Sequence, residues 1–247
     1  MEQRVTPRRL TFATWIAALG AAALAWVLTI NMSAGMPMPA MMPLPAFLVF
    51  WIVMMIAMMF PSVAPAALLW THTIARTSSG AQQAWRMVQF VAGYLVAWAA
   101  FGAVLYGAIF ELSSLLSHRP GSSGIAGAAI FGLAAMYQVT PLKRACLLHC
   151  RSPFAALMRY AAFPRRGRDL LVGLHHGAYC VGCCWGLMML LLAAGIMNLA
   201  AMAGVALLVL LEKRWRRGEA LARWSSALFA LLALAALLRP EAFAGLR

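Results

Sequence analysis

The stretch GLHHGAYCVGCCWGLMM, residues 173 to 189, sets His175, His176, Cys180, Cys183, Cys184, Met188 and Met189 inside an apolar run from roughly 170 to 194. A run of that length crosses ~30 Å of hydrocarbon as a helix rising ~1.5 Å per residue. In lipid it has to be helical, because no water is present there to satisfy backbone N–H and C=O groups. Polar groups buried at such a depth mark a functional site by default. Thiols, imidazoles and thioethers are ligands for soft and borderline metals: copper(I), zinc and iron. On a helix, His176, Cys180, Cys184 and Met188 stand four apart and form one stripe, with Cys183 beside it. Counting from Leu170 puts Cys180 ~15 Å along the helix, near the middle of the bilayer. Each residue taken alone has a plain structural use, cysteine as a small hydrophobe and histidine as a donor to a carbonyl. Their coincidence on one face is what points to metal or redox chemistry.

Composition agrees with a membrane setting. Of 247 residues, 64% are hydrophobic and 11% charged, too little polar surface to coat a soluble globule of this size. The expected fold is all-α: a polytopic transmembrane helix bundle of about seven helices, six if the first is cleaved as a signal peptide. The runs lie at roughly 12–31, 46–70, 87–110, 124–140, 170–194, 196–211 and 222–238, the fourth and sixth being short. No soluble module interrupts them, so residues 1–247 read as a single integral membrane domain.

The net charge of +14 does not call for nucleic acid, because its placement has a simpler explanation. Every Lys and Arg except Arg119, Arg239 and Arg247 falls before helix 1 or in alternate loops after helices 2, 4 and 6. The positive-inside rule then predicts a cytoplasmic amino terminus and an external carboxyl terminus, with the lipid bilayer as the first partner. Five cysteines, an odd number and none in an external loop by this topology, do not read as a disulfide framework.

Two further clusters carry ligand chemistry. MMIAMMFPSVAP, residues 54 to 65, aligns Met54 with Met58 and Met55 with Met59, and thioethers four apart can clamp copper(I); close packing in an apolar core is the alternative use. A methionine-rich outer loop, residues 31 to 45 with Met32, Met36, Met38, Met41 and Met42, precedes it. Pro61 and Pro65 are expected to disturb the lower part of that helix. In CLLHC, residues 146 to 150, Cys146, His149 and Cys150 face one way if the segment is helical, with Lys143, Arg144 and Arg151 nearby to favour thiolates. The surrounding loop, with Leu147, Leu148, Phe154, Leu157 and Met158 among cations, reads as an amphipathic interfacial helix. Gly173 with Gly177 and Gly182 with Gly186 predict close helix packing. Trp185, Asn198 and Gln138 are candidates for interhelical hydrogen bonds, whereas Glu111 and Glu212, at helix ends, read as solvated.

The strings MMIAMMFPSVAP, YQVTPLKRACLLHCRSP (137–153), HGAYCVGCCWGLMM (176–189) and GIMNL with a later EK (195–199 and 212–213) resemble the signature blocks of a bacterial family of predicted metal-binding integral membrane proteins. Members are sometimes labelled copper chaperones. The resemblance runs from about 46 to 213 and implies a multi-pass inner-membrane protein with Cys, His and Met ligands. Position by position it implies roles for Met54, Met55, Met58, Met59, Cys146, Cys150, His176, Cys180, Cys183 and Cys184. After GIMNL, where the family pattern leads one to expect an aromatic, this chain has Ala200 and Ala201.

Two functions follow as expectations. The first is a soft-metal protein, binding copper(I) in preference to zinc or iron between helices 2 and 5 and delivering it to a metalloprotein or metallochaperone partner. Its site residues would be His176, Cys180, Cys183, Cys184 and Met188, the Met54, Met55, Met58 and Met59 relay, and a dock of Cys146, His149 and Cys150. Thiol protons would leave as the metal binds, so affinity would fall on acidification. The second is a membrane thiol–disulfide oxidoreductase in which Cys180 and Cys183 cycle with Cys146 and Cys150, working against a quinone. No catalytic triad, phosphate loop or paired intramembrane carboxylates point to another enzyme.

Overall fold

The computed structural model describes residues 7–33, 42–118, 123–152, 154, 167–194 and 198–239, and these form helices joined by short turns. In chain order they are α1 (Pro7–Ser33), α2 (Leu44–Ile74), α3 (Gly80–His118), α4 (Ser123–Gln138), α5 (Pro141–Arg151), α6 (Arg168–Ala194), α7 (Leu199–Arg214) and α8 (Gly218–Leu238). Five of them, α1, α2, α3, α6 and α8, are long and apolar enough to cross a membrane. A sixth span arises if α4 and α5, bent by 63° at Val139–Thr140, count as one. The chain is an all-helical membrane protein. The run expected at 196–211 is α7, whose 16 residues reach only ~24 Å.

Local sequence accounts for the element ends. Pro43, extended with ψ 144°, precedes α2, and proline occupies its first turn, where no backbone donor is needed. Pro61 and Pro65 lie within α2, yet the helix continues through both. Thr140 caps α5 by accepting from the Lys143 amide at 3.2 Å, with Pro141 at the first helical position. Gly167, at φ +78°, occupies the left-handed region before α6. Asn198 Oδ1 accepts from the Ala201 amide at 3.0 Å and opens α7, a cap rather than the interhelical bond expected of it.

Four helices enclose the interior. α2 packs on α3, α3 on α6, α6 on α7, and α7 back on α2, so α2 and α6 face each other across the ring. α1 lies along α2, while α4 and α8 pair and cover the α6 and α7 side. The α3–α6 seam is the closest. A Cβ on Gly93 would meet the Leu170 carbonyl, one on Gly173 the Phe90 carbonyl, and one on Gly177 the Tyr94 backbone, so the glycines let the two backbones touch. At the end of the bundle rich in basic residues, the Asp169 carboxylate takes the Arg86 Nε at 3.0 Å and the Trp70 indole at 3.0 Å. That knot fixes α2, α3 and α6 in mutual register, and a carboxylate in the first turn of α6 complements the helix dipole. At the other end, Phe47, Trp51, Trp98 and Phe101 pack ring on ring, and the Trp51 indole donates to the Trp98 carbonyl at 2.9 Å.

Candidate metal centre

Because α6 is helical throughout, its stripe forms as the spacing requires, and α3 and α7 bury it. Cys180, Cys183 and Cys184 are each at most 1% exposed. Their three sulfurs all lie within 4.8 Å of one another, the only group of three or more Cys, His, Asp or Glu ligand atoms that close among the described residues. The Cys183 and Cys184 sulfurs are 3.3 Å apart. Cys150 of α5 brings a fourth, its Sγ 3.6 Å from that of Cys183. Thiolates bound to one ion at ~2.3 Å stand about 4 Å apart, so these distances suit a shared soft metal with little movement.

One charged side chain touches a thiol directly, and a buried ion pair lies behind the cluster. Lys213 of α7, 6% exposed, donates from Nζ to Cys180 Sγ at 3.0 Å and to Ser62 Oγ of α2 at 3.1 Å. The Tyr94 hydroxyl lies 3.2 Å from the same Cys180 sulfur. Lys143 of α5 bonds the Cys183 carbonyl and pairs with Glu212 Oε2 at 2.8 Å, both side chains 2% exposed. Glu212, read from sequence as a solvated helix end, is therefore buried: α5 and α8 fold over the end of α7, and Ser225 donates to its other oxygen at 3.5 Å. Lys143, expected beside the CLLHC thiols, thus also serves as the ion-pair partner of Glu212. Cys146 packs on Gly182 and stands outside the sulfur group. Across the bundle Cys180 lies level with Lys213, which is followed by Arg214, Arg216 and Arg217.

The methionines of α2 face the same interior. Met54, Met55, Met58 and Met59 are at most 2% exposed and share one continuous core with Met188, Met202 and the three cysteines. Lys213 bridges Ser62 and Cys180 and so sets their common level. One turn further from the basic end come Met58 and Met59 opposite Cys184, and a turn beyond that Met54 and Met55 opposite Met188. The two clusters therefore converge. Of the outer-loop methionines, Met42 belongs to the same core with Met32 packed against it, while Met36, Met38 and Met41 lie outside the described residues.

His176 is 3% exposed, and its Nδ1 has no hydrogen-bond partner. Its ring packs against those of Phe90, Tyr94 and His149. Gln138, expected to bridge helices, is buried with neither amide atom partnered, while Trp185 packs on the Tyr137 ring at 4.6 Å. Leu157 and Met158, expected on the amphipathic surface helix, lie outside the described residues; α5 itself buries Leu147 and exposes Leu148.

The residues that sequence reasoning missed as site neighbours are Lys213, Tyr94 and Ser62. A signal for Lys213 was present: consecutive helical residues point to different faces, so Glu212 and Lys213 cannot pair with each other and each needs a partner elsewhere.

No curated protein and no solved structure matches the chain. A family model, PpoB2, described as copper chaperone, matches residues 48–236, a segment running from the start of α2 nearly to the end of α8 and holding every residue of the thiol and methionine clusters. The chain belongs to this copper chaperone family.

Proposed function

We propose that the protein holds copper(I) on the thiolates of α6 and passes it to a metalloprotein or metallochaperone partner, working in the bacterial inner membrane with its amino terminus in the cytoplasm. The observation that carries this reading is the group of Cys180, Cys183 and Cys184 sulfurs with the Lys213 ammonium 3.0 Å from one of them. Copper(I) held by two thiolates carries one net negative charge, and the single ammonium cancels it. Zinc on four thiolates, Cys150 included, would leave a second charge uncompensated in a medium where that is costly. Soft sulfur donors favour copper(I) on chemical grounds as well.

In this reading Met54, Met55, Met58 and Met59 offer neutral, exchangeable thioethers beside the thiolates, so the ion can leave without meeting a hydrocarbon wall. Met188 extends the same set on α6. Transfer to a copper-chelating acceptor protein, followed from copper-loaded protein in vesicles, tests this. Replacing all four α2 methionines by leucine conserves volume and is expected to slow transfer at least ~10-fold with little change in copper content or stability. Transfer at the wild-type rate would reduce the quartet to core packing.

One observation favours the oxidoreductase as a second reading. Cys150 and Cys183 approach to 3.6 Å across two helices, a pair that closes to a disulfide far more readily than Cys180 and Cys183, three positions apart on one helix.

A further inference from the structure

The 63° bend at Val139–Thr140 swings α5 off the line of α4, while α8 stays packed along α4, tied to it by the Ser226 hydroxyl on the Ala135 carbonyl at 2.8 Å. The wedge so opened is a cavity of about 290 Å³ that copper binding on α6 does not use. Gln138, Thr140 and Arg144 line it on one side, Glu219, Ala222 and Arg223 on the other. Arg144 Nε lies 3.2 Å from Glu219 Oε2, an ion pair from α5 to α8. Arg223, one turn along α8 from Glu219, is in no ion pair among the described residues. Lys143 also borders the cavity, but Glu212 answers its charge at 2.8 Å. Two guanidiniums and one carboxylate therefore leave a single positive charge in excess around the cavity. Gln138 adds a second requirement: it is 3% exposed, and neither its amide nitrogen nor its amide oxygen has a hydrogen-bond partner. A buried amide left so is costly, and a ligand that both accepts and donates a hydrogen bond satisfies it. The place of the cavity names the source of such a ligand. It lies at the first turns of α5 and α8, next to the turn that carries Arg216 and Arg217, and Trp224 stands exposed beside Arg223 as tryptophans do at headgroup level. Beyond it α4 and α8 expose Leu133, Met136 and Leu231, an apolar surface for acyl chains.

We propose that the wedge between α4, α5 and α8 binds the headgroup of an anionic phospholipid, its phosphodiester held by Arg144 and Arg223 and a hydroxyl of its headgroup met by Gln138. The single negative charge of a phosphodiester balances the single positive charge in excess, and guanidinium is the side chain best suited to phosphate oxygens. A headgroup hydroxyl both donates and accepts, as the Gln138 amide requires. A zwitterionic headgroup brings a cation of its own and loses the charge match. The site lies apart from the sulfur group and does not rest on the copper reading.

The test uses the full-length protein in detergent, stripped of lipid and titrated with phosphatidylglycerol, phosphatidylcholine or inorganic phosphate. Native mass spectrometry counts the bound lipid, and the unfolding midpoint is followed in parallel. Phosphatidylglycerol is expected to bind at about one per chain and raise the midpoint, with phosphatidylcholine at least ~10-fold weaker and inorganic phosphate without effect. Arg223→Gln is expected to weaken phosphatidylglycerol at least ~10-fold, whereas Arg216→Gln, which removes an exposed cation outside the cavity, leaves it unchanged. Gln138→Leu separates binding from folding. It removes an unpartnered buried amide, so the lipid-free protein is expected to keep or raise its midpoint while its lipid retention falls. Phosphatidylcholine held as tightly as phosphatidylglycerol, or Arg216→Gln costing as much as Arg223→Gln, would overturn the site in favour of general attraction to a basic surface. Equal stabilisation by inorganic phosphate would overturn the lipid as its ligand.

Discussion

Replacing Cys180, Cys183 and Cys184 together by serine is expected to lower chelator-resistant copper from about one ion per chain to background, measured by elemental analysis after washing with a copper(I) chelator. The effect is large because serine keeps the shape and removes the chemistry: a hydroxyl is a hard, neutral donor, whereas the buried sulfurs become thiolates as the ion binds. Among single changes Cys183→Ser should cost most, since its sulfur touches both Cys184 at 3.3 Å and Cys150 at 3.6 Å. Cys146→Ser supplies the contrast. That thiol packs on Gly182, outside the sulfur group, so copper content should stay at the wild-type level. Equal loss in both variants would show that the geometry of the sulfur group does not decide where the metal sits.

Lys143→Met should destabilise the protein by about 3–5 kcal/mol, read as a lowered unfolding midpoint in detergent. Its ammonium is the ion-pair partner of Glu212, at 2.8 Å with both side chains 2% exposed. Removing it leaves a carboxylate buried with only the distant Ser225 hydroxyl for company. The same change frees the Cys183 carbonyl that Lys143 bonds, so copper retention should weaken as well. Combining Lys143→Met with Glu212→Leu removes both charges, and most of the lost stability should return, because a buried pair contributes little beyond two packed apolar groups. If the single variant unfolds at the wild-type midpoint, the pair is not the clamp that binds α5 to α7.

What could be read from the sequence was what depends on neighbours a few residues apart. The stripe of His176, Cys180, Cys184 and Met188 follows from helical spacing, and α6 presents it as expected up to the sulfur group. The partners of His176 came from elsewhere in the chain: its ring packs against Phe90 and Tyr94 of α3 and His149 of α5. The all-helical fold followed from hydropathy, as did the amphipathic character of α5. The ring of charges around the thiols was less legible. Lys143 and Glu212 are 69 residues apart in the chain, and Lys213 and Ser62 are 151 apart. A charged residue at the end of an apolar run ordinarily reaches water, and only the fold of α5 and α8 over that end makes it a buried one. The level of Cys180 against the other helices was hidden for a related reason: Lys213, at the basic end of the shorter α7, meets it at the middle of α6.

Copper K-edge X-ray absorption on chelator-washed, reduced wild-type protein tests the central claim most directly. The account predicts copper(I) surrounded by about two or three sulfur neighbours, with the signal lost in the triple-serine variant. Copper bound by nitrogen and oxygen alone would contradict it. So would metal-free protein after reconstitution under reducing conditions, and a Cys150–Cys183 disulfide in that protein on exposure to an oxidant would put the thiol–disulfide reading in its place.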